Sequence, residues 1–188
     1  IDLKIDNLDR FSLGKDTCGF LFQYPDTNGE INIPYDMIQD SKKNSVISTC
    51  SHDLLSSCIF KSPGDIDVDI AFGSMQRFGI PMYFGGPHPA YLACDGKFLR
   101  YMPGRIIGES LDIKGNSCYR LGLQTREQHI KKERATSNIC TSQALLANIS
   151  SMYAIYHGKK GITQISENIY KLTCMFHNWC LSNGLEVV

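Results

Sequence analysis

The chain has 188 residues, a length suited to one medium domain. Its 19 Lys and Arg balance 19 Asp and Glu, so the formal net charge is zero, without the excess of cations that a general nucleic-acid binder or a polybasic membrane-surface module needs. The apolar set makes up 43% of the chain, and no unbroken run of it is longer than Met152–Tyr156, far too short for a transmembrane helix. No secretory signal is visible. Ile1 is not an initiating methionine and Leu185-Glu186-Val187-Val188 reads like the opening of a strand, so a piece of a longer polypeptide is expected.

In chain order, Cys18–Tyr24 is an aromatic strand candidate, bounded by the turn cluster Pro25-Asp26-Thr27-Asn28-Gly29. A short helix is expected over Pro34–Lys42 and a strand over Ser45–Cys50. A second helix follows over Asp53–Phe60, stopped at Ser62-Pro63-Gly64, and then a strand over Val68–Phe72. Gly85-Gly86-Pro87-His88-Pro89 has neither the GxGxxG pattern nor the Walker lysine. Its two prolines remove backbone donors, so it reads as a tight structural loop. Tyr91–Cys94, Phe98–Met102 and Tyr119–Leu123 read as further strands, and Met102-Pro103-Gly104-Arg105 as strand then turn. Strands alternating with helices indicate an α/β sheet layered with helices.

The last third is helical. Leu145, Ile149, Met152 and Tyr156 form one apolar face, with Thr136-Ser137-Asn138 as N-cap candidates and Gly158 as the stop. Ile165, Ile169, Leu172, Phe176 and Trp179 repeat the pattern in a second helix, closed by Gly184.

Eight scattered cysteines form no CxxC pair, and five histidines show no ligand spacing such as HxxxH. Free buried thiols are expected, and no metal site. The segment with the most chemistry is Gln124–Thr141, where a basic run (Arg126, His129, Lys131, Lys132, Arg134) enters the start of a long helix beside hydroxyl side chains. Such a place suits a phosphate or carboxylate; a solvated charged loop before an ordinary capped helix is the plain alternative. Cys140, placed in the first helical turn, has His129 as a conceivable base, but spacing identifies no third orienting group for a Cys–His hydrolase.

Several runs, in order, resemble one family. They are Phe22-Gln23-Tyr24-Pro25, Gln76–Pro81, Gly85-Gly86-Pro87-His88, Met102-Pro103-Gly104-Arg105, Leu123–Ile130, Ala135–Thr141, Gln143–Asn148 and Ala154-Ile155-Tyr156-His157-Gly158. The similarity covers about residues 17 to 188, and the runs resemble the glycine dehydrogenase (decarboxylating) family, the P-proteins of the glycine cleavage system. The resemblance implies an aminotransferase-like (fold type I) α/β large domain with a mixed, mostly parallel sheet and flanking helices. It implies an oxidoreductase that decarboxylates glycine with pyridoxal phosphate and passes the aminomethyl group to the lipoyl arm of H-protein. The implied partners are a C-terminal half of the same polypeptide and a second copy in a homodimer. The implied compartment is the mitochondrial matrix in eukaryotes or the cytoplasm in bacteria.

The resemblance places this chain in the N-terminal half, which does not bind the cofactor. Residues 1–135 then belong to the C-terminal part of the large domain, and residues 136–188 are helices leading toward a smaller, incomplete domain. The Schiff-base lysine position corresponds to Gln76, and the position of the acidic partner of the pyridine nitrogen to Thr49, expected at the end of its strand. An amide and a hydroxyl cannot fill those roles, nor can the permanently charged Arg77. With no lysine at position 76, a site built on one of the 12 lysines is disfavoured. Arg134-Ala135-Thr136 resembles a segment that reaches the partner's cofactor phosphate in related folds. Thr136, Ser137 and Asn138 are therefore expected phosphate contacts across the interface. Arg126, Glu127, His129 and Arg134 are expected at the entrance for carrier or substrate. A purely structural, dimerising scaffold is the alternative.

Overall fold

Every second residue of the first strand carries a large ring, and that alternation places it. In the computed structural model, which describes residues 1–123, 127–135 and 141–187, β1 (Gly19–Tyr24) buries Phe20, Phe22 and Tyr24 and exposes the residues between them. The three rings stack along the strand with centroids 5.8 and 6.0 Å apart. Ile38 from α1 (Tyr35–Lys43), with Val46, Cys50 and Ile66, closes the core around them. Burying this many aromatic and aliphatic groups is the main stabilising term, roughly 1.5–3 kcal/mol per large side chain.

β2 (Ile47–His52) lies parallel to β1 with Thr49 opposite Leu21, and β3 (Ile70–Ser74) lies parallel to β2 with Thr49 opposite Ile70. β4 (Ala90–Cys94) completes a sheet in the order β1-β2-β3-β4. Parallel neighbours need crossovers, which α1 and the segment between β2 and β3 supply. The expected helix over Asp53–Phe60 forms as a 3₁₀ turn over Leu54–Cys58, with the Asp53 carboxylate accepting from the Leu55 amide at 3.1 Å. A carboxylate is buried at the start of β3. Asp69 accepts from the Ser48 amide and hydroxyl at 2.9 Å each, and from Lys42 Nζ at 3.3 Å. Such pairing is the condition for burying a carboxylate.

Two compact units make up the chain, Ile1–Ala93 with Gln143–Val188, and Cys94–Ser142. In the second, β5 (Ile106–Leu111) and β6 (Ser117–Leu123) form an antiparallel hairpin. Asp112 closes its turn, accepting from the amides of Lys114 and Asn116 at 2.8 Å. Phe98–Met102, expected as a strand, lies instead in a 3₁₀ turn over Gly96–Tyr101. The Asp95 carboxylate accepts from the Lys97 amide at that turn's start and selects a helical entry over an extended one.

A short α2 (Gln128–Lys131) is followed by α3 (Ala144–Ser182), which joins the two expected helices through a non-helical Gly158 at φ 59° and ψ −177°. A side chain there would be strained, so glycine permits the junction. α3 opens at Ala144 with Gln143 at its N-cap. The expected N-cap residues Thr136, Ser137 and Asn138, and Cys140 expected in the first turn, lie outside the described residues. The helix ends at Ser182, and just beyond it the amides of Gly184 and Leu185 donate to the carbonyls of Leu181 and Cys180 at 3.1 and 3.0 Å.

The side of α3 that packs within its own unit is also unexpected. Its buried residues are Ser150, Ser166 and Cys180. Ser166 donates to the Leu55 carbonyl at 2.9 Å and Ser150 to the Met75 carbonyl at 3.4 Å. Of the two expected apolar stripes, Ile149 and Ile165 are half-buried, while Leu145, Met152, Tyr156, Ile169, Leu172, Phe176 and Trp179 are exposed. The helical period is right, but small polar residues make the close approach, to the 3₁₀ turn after β2 and to the turn after β3.

Candidate functional site

In α/β sheets, ligands gather beyond the carboxyl ends of the parallel strands. Here β1, β2 and β3 end in Tyr24, His52 and Ser74, and a dense polar cluster lies just beyond them. His52 is 2% exposed. Its Nδ1 lies 2.8 Å from the Tyr24 carbonyl oxygen, which can only accept, so Nδ1 carries the proton. Nε2 therefore holds a lone pair and accepts from the Ser57 hydroxyl at 2.7 Å. The Ser56 hydroxyl donates to the Asp53 carbonyl at 2.7 Å. Burial lowers the His52 pKa, opposed by its bond to the Tyr24 carbonyl and by the charge of Asp53. The ring is thereby held neutral in one tautomer.

Around it, Tyr24 donates its hydroxyl to the Lys61 carbonyl at 2.9 Å, and Tyr91 donates to the His52 carbonyl at 3.0 Å. Burial pushes the Tyr91 phenol up to about 12, and the Tyr24 phenol higher. Cys50, fully buried one turn of the pleat away, is pushed up to about 12 by desolvation, so its thiol is inert at neutral pH. β3 passes so close that a Cβ on Gly73 would run into the His52 carbonyl and lie 2.9 Å from Tyr91 Cε1.

The next turn carries Gln76 and Arg77. The Gln76 amide hydrogen reaches Ser74 Oγ at 3.0 Å, and its side-chain Nε2 donates to the Ile80 carbonyl at 2.6 Å. The carboxamide is thus committed to closing its own turn. Arg77 pairs with Asp53, both partly exposed. Gly79, at φ 77°, admits the ring of Tyr153 from α3, whose Cδ2 lies 2.5 Å from where a Cβ would stand. Phe78 meets the same ring edge-on at 6.1 Å.

These positions bear on pyridoxal phosphate. A cofactor aldehyde needs an amine, and Gln76 offers an amide already hydrogen-bonded within the protein. Thr49 is half-buried in mid-strand, because β2 runs three residues past it to His52, rather than ending at Thr49. These residues do not fit a cofactor covalently held at this turn. Among the described residues no three His, Cys, Asp or Glu side chains form a metal-binding group. The seven described cysteines are free thiols.

The other expected site residues lie in the second unit. Glu127, at the N-cap of α2, is 2% exposed, and its Oε1 has no hydrogen-bond partner. His129 in α2 and Arg134 in the following 3₁₀ turn are exposed. Arg126, Thr136, Ser137, Asn138 and Cys140 lie outside the described residues. Sequence reasoning missed the His52, Asp53, Ser57 and Tyr24 cluster. The available signal was a His-Asp pair at the end of a strand candidate, followed within five residues by two serines.

Comparison with known proteins gives one consistent answer. The mitochondrial glycine dehydrogenase (decarboxylating) of Mus musculus is 46% identical over 186 residues, which is 99% of this chain and 18% of the relative. The glycine dehydrogenase (decarboxylating) of Dechloromonas aromatica is 51% identical over 185 residues, 98% of this chain and 19% of the relative. A crystal structure of glycine decarboxylase (P-protein) of the glycine cleavage system, in inhibitor-bound form, matches with a TM-score of 0.76 and 34% identity. The match covers 81% of this chain and 35% of that one. The chain therefore spans about a fifth of the length of these curated relatives. The mixed, mostly parallel sheet with flanking helices is that of the fold type I enzymes, as expected. With the family model matching residues 2–186, the chain belongs to the glycine cleavage system P-proteins.

Proposed function

We infer that this chain is the part of a glycine-decarboxylating P-protein that does not itself hold pyridoxal phosphate, and that it completes an active site shared with the remainder of the polypeptide. The observation that carries the reading is Gln76, an amide locked to the Ile80 carbonyl where the cofactor-bearing lysine is expected. The cofactor, glycine and the lipoyl arm of H-protein then belong to the whole enzyme, acting as a homodimer. The compartment is the mitochondrial matrix for a eukaryotic protein or the cytoplasm for a bacterial one. Relatives of both origins carry the same activity in their names.

Glu127 supports the shared site. A buried carboxylate oxygen without a donor is costly, by roughly 1–3 kcal/mol or more. A group from outside this chain would relieve that cost at the segment proposed to line the entrance with Arg126, His129 and Arg134. Thr136, with Ser137 and Asn138, is proposed to reach the cofactor phosphate across the interface. The test is Thr136→Ala in the full-length enzyme. Loss of one hydrogen bond to a charged phosphate, worth roughly 1.5–3 kcal/mol, weakens cofactor binding by about 10- to 100-fold with the fold intact. Unchanged affinity would assign this part to scaffolding alone.

A further inference from the structure

The loop between β3 and β4 holds a feature that neither the sheet nor the shared-site reading uses. It leaves the carboxyl end of β3 and is closed at its base, where the Met75 amide donates to the Pro89 carbonyl at 2.9 Å. Phe78 and Ile80 anchor its near side, 5% and 4% exposed. Beyond them Met82, Tyr83 and Phe84 stand together at 72%, 56% and 108% exposure.

The tip is not slack. The Gly86 amide donates to the Met82 carbonyl at 2.7 Å, and His88 Nδ1–H to the Gly86 carbonyl at 2.9 Å. Gly85 and Gly86 take φ of 145° and 65°. Tyr83 itself sits at φ 42°, a left-handed conformation that costs a non-glycine residue roughly 1–2 kcal/mol. Pro81, Pro87 and Pro89 fix three more φ angles. The chain thus holds three large apolar side chains outward in one conformation, although both the strain and the exposure of apolar surface oppose it. Rigid, clustered aromatic groups of this kind are the usual anchors of protein interfaces.

The chemistry of the partner follows from charge. Between Arg77 and Asp95 there is no Asp, Glu, Lys or Arg. Phosphate-rich surfaces, whether nucleic acid or lipid headgroup, are recognised through cations, and this loop offers none. It suits an apolar protein pocket. About four fifths of the length of the relatives lies outside this chain. The loop also projects from the strand ends, beside the turn that carries Gln76.

We propose that Met82-Tyr83-Phe84 inserts into an apolar pocket of the cofactor-holding part of the same polypeptide and docks the two parts together. This rests on the shared-site reading above. The test places the photo-reactive residue p-benzoylphenylalanine at position 84 of the full-length holoenzyme, with irradiation and peptide mapping. Cross-links to peptides of the cofactor-holding part are expected. In the same holoenzyme, residues 81–88 are protected from amide hydrogen exchange, and Phe84→Ser raises their exchange by about 30-fold, the loss typical of one interface anchor. Because the Phe84 side chain is fully exposed, that variant leaves the fold of the chain undisturbed. Cross-links confined to another copy of this segment, cross-links to a separate carrier protein, or none at all would overturn the proposal. Locating the cofactor's lysine is a separate measurement, so the two readings fail independently.

Discussion

Gly73→Ala is the most informative small change in the sheet. Gly73 has no positive φ, so alanine costs nothing in backbone conformation, and the whole effect comes from the space its Cβ needs. That Cβ would meet the His52 carbonyl group, with the carbonyl carbon 3.1 Å away, and would stand 2.9 Å from Tyr91 Cε1. Ordinary contacts need about 3.5–4.0 Å, so β3 would have to withdraw from β2 and Tyr91 by at least about 0.6 Å. The obstacle is backbone in a parallel ladder, paired at Cys50–Ala71 and Ser51–Phe72, and cannot turn aside. Overpacking costs about 1–3 kcal/mol, and loss of the Tyr91 hydroxyl bond to His52 adds about 1. A total of about 2–4 kcal/mol lowers Tm by roughly 4–16 °C for a chain of this length. Thermal unfolding followed by far-UV circular dichroism, on the full-length enzyme and on this chain, reads the shift. A change under about 2 °C would refute the close approach of β3 to His52.

Two further outcomes follow from the buried cluster. The folded-state pKa of His52 lies below its ordinary value of about 6.5. As pH falls through about 6.5 the unfolded chain takes up the proton first, so stability is full above that pH and declines below it. The decline levels off only once the folded state is protonated too. Urea midpoints between pH 7.5 and 5 show this slope, and His52→Gln flattens it; an unchanged slope in the variant would assign the effect elsewhere. Cys50, pushed up to about 12 and fully buried, escapes iodoacetamide at pH 8 in the native protein, whereas exposed Cys18 is alkylated. Mass spectrometry of the labelled peptides checks this, and native-state labelling of Cys50 would contradict its burial.

The elements legible in the sequence were those whose local pattern carried the decision. β1 alternates its three rings with Gly19, Leu21 and Gln23, and α1 and the parallel strands are bounded by turn residues close to where they were expected. Three features escaped for distinct reasons. β5 over Ile106–Leu111 was hidden behind the turn signal at Pro103-Gly104, because its pairing with β6 is a tertiary choice. Phe98–Met102 has strand composition, but a single side-chain cap from Asp95 outweighs it. In α3 the apolar period shows that a helix forms but not which side meets the turns beyond β2 and β3. Ser150 and Ser166 approach closely, leaving Met152, Tyr156 and Trp179 outside. The site divides in the same way. Gln76 was singled out only through the family resemblance, which sets it against the Schiff-base lysine. The His52 cluster was not singled out, because Tyr24, Ser57 and Tyr91 converge from separate segments and share no spacing rule.

The central claim is that this part of the enzyme does not carry the cofactor. Loading the full-length polypeptide with pyridoxal phosphate, reducing with borohydride and locating the modified lysine by mass spectrometry tests it most directly. The account predicts a label outside these 188 residues, with none of the 12 lysines here modified. A stoichiometric label on any one of them would contradict it and would end the roles assigned to Gln76 and Thr49.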